Sequence, residues 1–324
     1  MYYPNDIEDI CYEAEHIDKV LSEIKINFRN YFDKFIDSEA GNALSNEYAL
    51  KLARHFNGDG EVIKKKKKDT KNVFTEIIKE SIESFNKDRN SYLEILDEES
   101  LEEYEDDPNQ FKNDVLRNKC PIIRYTLHSK DKELDKYKMD FNISDPNELL
   151  EVVCNLTQFA NDYNSRFTDI DDYESIESLG DLGLAELDTE EYVVYGVIGG
   201  GIKSHLLFKL YPEFFPNRSR EAIWALWYLT SKKTFDCTQD SEFLMIDTKN
   251  STTQQNYFYP YELFAFYANQ IFKLLNNEAM KNDVFIKKEY RFVLVDKFLT
   301  FVAQTHSEEI DFMRSQLREG VHGY

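Results

Sequence analysis

Tyr192-Val-Val-Tyr-Gly-Val-Ile198 runs directly into Gly199-Gly200-Gly201 and then into an apolar segment from Ile202 to Tyr211. Its β-branched and aromatic residues predict a strand, and the spacing after the glycines predicts a helix. Strand, glycines, helix is the layout that offers backbone N–H groups to a phosphate at a helix N-terminus. Here Ser204 stands where G-x-G-x-x-G needs its third glycine, and no glycine precedes Lys203-Ser204 as a P-loop would require. The glycines therefore predict a tight turn rather than a nucleotide site.

Working outward, further strands are expected at Ile122–Leu127, Tyr137–Ile143 (where Tyr137, Met139, Phe141 and Ile143 alternate) and Phe243–Ile246, with Arg291–Val295 a strand or the start of a helix and Thr252–Tyr259 a second strand if the acids before it lie exposed at a hairpin turn. Helices are expected between them. Asp145 is an N-cap, with Pro146 at the first helical position and Glu148 at the third; Asn217 caps a helix through Leu229; Tyr261–Leu275 and Asp296–Arg318 follow. Toward the N-terminus, Ile10, Ala14, Ile17, Leu21, Ile24, Phe28, Tyr31 and Phe35 form one stripe of a helix over about Ile7 to Ile36. Helices also follow at Asn46–Phe56, before the turn Asn57-Gly-Asp-Gly60, and from Val73 to Phe85, with a continuation through Tyr92, Leu93 and Leu96 left open by the spacing. Two acidic stretches are expected outside the packed elements: Asp97–Asp107 as a linker or exposed loop, and most of Asp169–Glu191 as an exposed loop interrupted by Leu182, Leu184 and Leu187. The resulting expectation is an α+β or α/β chain, with a mainly helical region over 1–116 and, over 117–324, a mixed sheet with packed helices.

Composition bounds the function. The 324 residues carry 61 acidic and 39 basic side chains, a formal net charge of -22, which repels nucleic-acid phosphate over most of the surface. Nucleic acid would need a local basic patch, for which Lys64-Lys-Lys-Lys-Lys68 is one candidate, or a metal ion. Hydrophobic residues make up 42% and aromatic ones 15%, enough for a substantial core. Cys11, Cys120, Cys154 and Cys237 are scattered, with no Cys-x-x-Cys and no histidine at zinc-ligand spacing. This argues against both a structural zinc and a disulfide framework. The N-terminus has no signal-peptide pattern and no long apolar run spans a membrane, so a cytoplasmic location is expected.

The chemistry-bearing stretch is Lys232-Lys-Thr-Phe-Asp236 through Phe243-Leu-Met-Ile-Asp247-Thr-Lys249. Two antiparallel strands joined through Thr238–Ser241 would bring Asp236 beside Asp247, and in a strand Asp247 and Lys249 share a face. Two carboxylates would hold a hard cation, Mg2+, and the lysine would orient an attacking water. This arrangement resembles the PD-(D/E)xK nuclease superfamily, in its RecB-type branch, over about residues 218–259. The resemblance implies a metal-dependent phosphodiester hydrolase with Asp236, Asp247 and Lys249 catalytic. It also implies Glu221 as an additional helical metal carboxylate, and Gln255 and Tyr259 as the later Gln-x-x-x-Tyr pair. Arg218 and Arg220 would sit near nucleic-acid phosphate. A rival expectation is a non-enzymatic acidic interaction subunit, for example of a phage-defence, anti-defence or stress complex, with a protein partner or a second copy of the chain. A DNA mimic is a third.

Overall fold

A computed structural model describes residues 7–41, 69–167, 172–238, 241–247 and 252–319. The helix expected at Asn46–Phe56, its following turn and the Lys64–Lys68 run lie outside those residues. In chain order the elements are α1 (Ala14–Gly41), α2 (Thr70–Ile95), α3 (Glu98–Glu102), α4 (Pro108–Gln110), a π-helical turn Phe111–Lys119, α5 (Pro121–His128), α6 (Asp135–Ile143) and α7 (Pro146–Arg166). There follow α8 (Leu179–Leu182) among 3-10 turns, α9 (Gly200–Leu210), α10 (Arg220–Leu229), β1 (Leu244–Asp247), β2 (Thr252–Gln255), α11 (Tyr261–Lys281), α12 (Arg291–Gln304) and α13 (Ser307–Glu319).

Helices make up 73% of the described residues, and the sheet has two antiparallel strands, in register from Leu244↔Gln255 to Asp247↔Thr252. The chain is therefore mostly helical. The expected α+β or α/β architecture with a mixed sheet is corrected, and the reason is visible strand by strand. Ile122–Leu127 lies in α5, which starts with Pro121 at its first position; Ile123 is buried while Tyr125 faces solvent. A short apolar run does not distinguish the two periods, and the proline decides for helix. Tyr137–Ile143 lies in α6, where Phe141 is buried but Met139 and Ile143 are exposed, so the alternation in sequence is not an alternation in burial. Arg291–Val295 opens α12. Tyr192–Ile198 forms a turn closed by a bridge between Val194 and Ile198 around Gly196, whose φ of +80° suits glycine. Only Phe243–Ile246 and Thr252–Tyr259 contain strand, as β1 and β2.

Elsewhere the helical periodicity gives the right elements. The α1 stripe is buried from Ile17 to Phe35, and Phe32 meets Phe74 of α2 at 5.4 Å between ring centroids while Phe28 meets Phe298 of α12 at the same separation. Asp145 caps α7, its carboxylate accepting from Asn147 N. Asp97 and Asp107 are caps too, for α3 and α4, so the first acidic stretch is short helix rather than linker. In the second, Leu182, Leu184 and Leu187 are buried among the turns over 172–192. Ser219 rather than Asn217 caps α10, accepting from Ala222 N; Asn217 instead donates to Asp296.

Polar groups fix the interior. Pro260 precedes α11 without a side chain able to cap it, and Asp188, 73 positions away, supplies the cap: its carboxylate accepts from Tyr261 N at 2.8 Å and from Glu262 N at 3.1 Å. Lys203 of α9 is buried beside it, with Nζ 3.9 Å from Asp188 and donating to Leu187 O. Arg218, 4% exposed, feels the same carboxylate, and donates through Nη2 to Asn256 O at 2.9 Å and Tyr257 O at 2.8 Å. Burial pulls the Lys203 ammonium down to about 8 and the Arg218 guanidinium to about 10.

The guanidinium lies directly under the first turn of α9, where a Cβ on Gly200 would collide with Nη1, whereas one on Gly201 would meet nothing within 4 Å. Arg218 is anchored at both acceptors and cannot swing aside. Gly200→Ala is therefore expected to destabilise the fold by about 1–3 kcal/mol, the range for overpacking a filled site. Gly201→Ala is expected to be neutral or slightly stabilising. Urea denaturation of the two variants against the parent checks the contrast.

Candidate metal centre

After α10 the chain turns through four non-glycine residues in the left-handed region: Ser231 (φ 54°), Lys232 (φ 62°), Phe235 (φ 50°) and Asp236 (φ 68°). Each costs on the order of 1 kcal/mol for an L-residue and persists only where the surroundings impose it. Helix α1 imposes it. Asn27 Nδ2 donates to Leu229 O at 2.9 Å and to Ser231 Oγ at 2.8 Å, Lys233 Nζ pairs with Glu23 at 2.6 Å, and Lys19 Nζ pairs with Asp236 at 3.0 Å. The turn delivers Cys237 to the start of α1.

Cys11, in the 3-10 turn Asp9–Tyr12, His16, near the start of α1, and Cys237 meet there: one ligand atom from each lies within 4.8 Å of the others. The two sulfurs are 3.7 Å apart. That is too long for a disulfide, at about 2.05 Å. It matches the edge of about 3.8 Å that two sulfurs make around a tetrahedral Zn2+ with Zn–S bonds of about 2.3 Å. His16 Nε2 and Glu242 Oε2 are 2.9 Å apart and both residues are buried. With the carboxylate accepting from Nε2–H, Nδ1 keeps its lone pair; it is buried and has no partner among the described residues. The Glu242 backbone is itself held, its carbonyl accepting from Asn256 Nδ2 at 3.0 Å while Asn256 N donates to Phe243 O at 2.8 Å.

Burial, reinforced by Glu242, pushes the Cys11 thiol far above its ordinary value, and burial raises Cys237 as well. Glu242 also shares a side-chain hydrogen bond with the Cys11 thiol, and the nearby Tyr259 and Tyr267 hydroxyls hydrogen-bond to each other; burial raises both tyrosines well above their usual range. Phe235 packs edge-on against the His16 ring at 5.9 Å.

The residues expected from sequence fall elsewhere. Asp236 lies in the left-handed turn rather than in a strand, and its side chain, 72% exposed, is paired with Lys19. β1 pairs with β2, so the expected strand carrying Asp236 alongside β1 is replaced by a hairpin in which Asp247 faces Thr252. Lys249 lies outside the described residues. Glu221 is paired with Arg220 at 3.2 Å on the first turn of α10, and Arg218 is committed to the carbonyls of Asn256 and Tyr257. Gln255 and Tyr259 are both buried.

No protein-family model matches this chain, and no curated protein or solved structure matches it.

Spacing alone pointed away from the cluster. Its two cysteines are 226 residues apart, and only Cys11 and His16, in one short segment, carried a local signal. Burial ranks the four thiols: Cys11 and Cys120 are buried, Cys154 and Cys237 half-buried. Iodoacetamide added to chelator-treated native protein is therefore expected to label Cys154 and Cys237 well before Cys11 and Cys120, as peptide mass mapping over time would show.

Proposed function

We propose that this chain is a zinc protein, in which one Zn2+ bound by Cys11 Sγ, Cys237 Sγ and His16 Nδ1 fastens the segment before α1 to the turn after α10. The observation that carries the reading is the donor set itself: two thiols at a tetrahedral sulfur–sulfur distance beside an imidazole whose one nitrogen is oriented by a carboxylate and whose other is buried and unpaired. Thiolate and imidazole ligands suit Zn2+, whereas Mg2+ prefers oxygen ligands in octahedral geometry.

The ion's role in this reading is structural. Cys11 and His16 are buried, and Cys237 is half-buried on a turn clamped by α1. Zinc would draw both sulfurs to the thiolate form against the burial that now raises them, its two positive charges offset by the two thiolates. A solvent molecule completing the tetrahedron would find the Glu242 carboxylate and the Tyr259 and Tyr267 hydroxyls nearby. The protein is then a zinc-fastened helical scaffold, and its acidic surface is free for solubility or for a partner.

Reconstituted protein is expected to bind one Zn2+ per chain by elemental analysis, and Co2+ in its place to give a thiolate charge-transfer band. Cys11→Ser and His16→Ala each abolish tight binding, while Glu242→Ala weakens it by about 10–100-fold. Free Zn2+ at about 100 times its dissociation constant adds about 2.7 kcal/mol to unfolding stability, read as a rise in the melting temperature that the Cys11→Ser variant lacks. Protein that takes up no stoichiometric zinc under reducing conditions overturns the reading.

A further inference from the structure

We propose that the zinc centre is released by thiol–disulfide exchange: a low-molecular-weight disulfide oxidises Cys237 and Cys11 to a disulfide that can no longer hold the ion. The inference rests on the zinc reading and adds its regulation. Three features of the site carry it.

First, the two sulfurs are already 3.7 Å apart, so bond formation needs a closing of about 1.7 Å to reach about 2.05 Å. Second, the sulfurs differ in access. Cys11 is fully buried, whereas Cys237 is half-buried at the end of a turn whose residues Lys232, Lys233, Thr234, Phe235 and Asp236 line an open groove against α1. The groove wall ends at Asp236, one residue before Cys237, and of the two sulfurs the half-buried Cys237 is the one open to a reagent from solvent. Third, the turn that carries Cys237 holds residues at φ 50° and φ 68° immediately before it. Backbone kept in that region by side-chain clamps has a lower-energy conformation to relax into when one contact changes.

The chemistry balances in two steps. The Cys237 thiolate attacks one sulfur of a disulfide RSSR, forming the mixed disulfide Cys237–S–SR and expelling RS⁻. The Cys11 thiolate then attacks Cys237 Sγ, forming the Cys11–Cys237 bond and expelling the second RS⁻. The two protein thiolates together give up two electrons, and RSSR is reduced to two thiols. The ion loses Cys237 in the first step and Cys11 in the second and keeps only His16, which does not hold it. A dithiol reverses the sequence by the same two exchanges and regenerates the ligand pair.

The test uses the full chain carrying Cys154→Ser, which removes the other half-buried thiol, loaded with one Zn2+ and exposed to oxidised glutathione. Free zinc is followed with a chromogenic chelator, and the thiols by non-reducing peptide mapping. The expected result is one zinc released per Cys11–Cys237 disulfide formed, with dithiothreitol and zinc restoring the loaded protein. Zinc retained with both thiols reduced overturns the proposal, as does zinc released while glutathione remains on Cys237. These outcomes leave the zinc reading intact, because loading is measured before the oxidant is added. Failure at the loading step sinks the zinc reading and this inference together.

Discussion

One buried charge cluster sets the positions of everything near the centre. Asp188 caps α11 from a distance while drawing in Lys203 from α9 and Arg218 from the approach to α10. Two cations and one helix N-terminus around one carboxylate are costly to desolvate unless each hydrogen bond is made. A second carboxylate, Glu262, lies close by and accepts from Leu184 N at 3.1 Å. Arg218 transmits this geometry outward. It grips the carbonyls of Asn256 and Tyr257, Asn256 holds the backbone at Glu242 and Phe243, and Glu242 orients His16. A continuous set of hydrogen bonds thus runs from the middle of the chain to its first helix.

Helix α1 is the other half of the frame. Its apolar stripe packs on α2, α10, α11 and α12, while its polar side reaches the turn after α10 through Lys19, Glu23 and Asn27. The same helix therefore buries the core and constrains the strained turn. The hydrophobic cluster is continuous from Ile7 to Ile310, so N-terminal and C-terminal helices share one interior. The Cys11–His16–Cys237 cluster sits where these two supports meet, with Cys11 and His16 contributed by the α1 end and Cys237 and Glu242 by the segments flanking residues 239–240.

The sequence spoke clearly where a signal is local and long. The α1 stripe, the Asp145-Pro146 cap and the apolar face of α11 are all readable, because three or more helical turns of periodic residues or a cap–proline pair leave little ambiguity. It misled where runs were short. Ile122–Leu127 and Arg291–Val295 have strand-like composition, but a helix of the same few residues buries them as well, and tertiary packing decided. The centre was illegible for a different reason. Its ligands are adjacent only because non-glycine residues Phe235 and Asp236 adopt positive φ, which nothing in their identity announces. Likewise Arg218 looked like a surface phosphate ligand beside Arg220, and only burial under Gly200 reveals it as an internal strut.

The distance along the chain between the two sulfurs also bears on how the molecule is made. Cys11 and His16 leave the ribosome more than two hundred residues before Cys237 follows, a span set by their separation of 226 positions. During that interval the early ligands have only each other, and a lone thiol–imidazole pair holds metal weakly. The centre therefore closes as a late event of biogenesis, after α10 has docked and bent the following turn into place. Loop closure over so long a span is slow relative to local helix formation, so an ion bound there would record completion of the fold rather than its initiation.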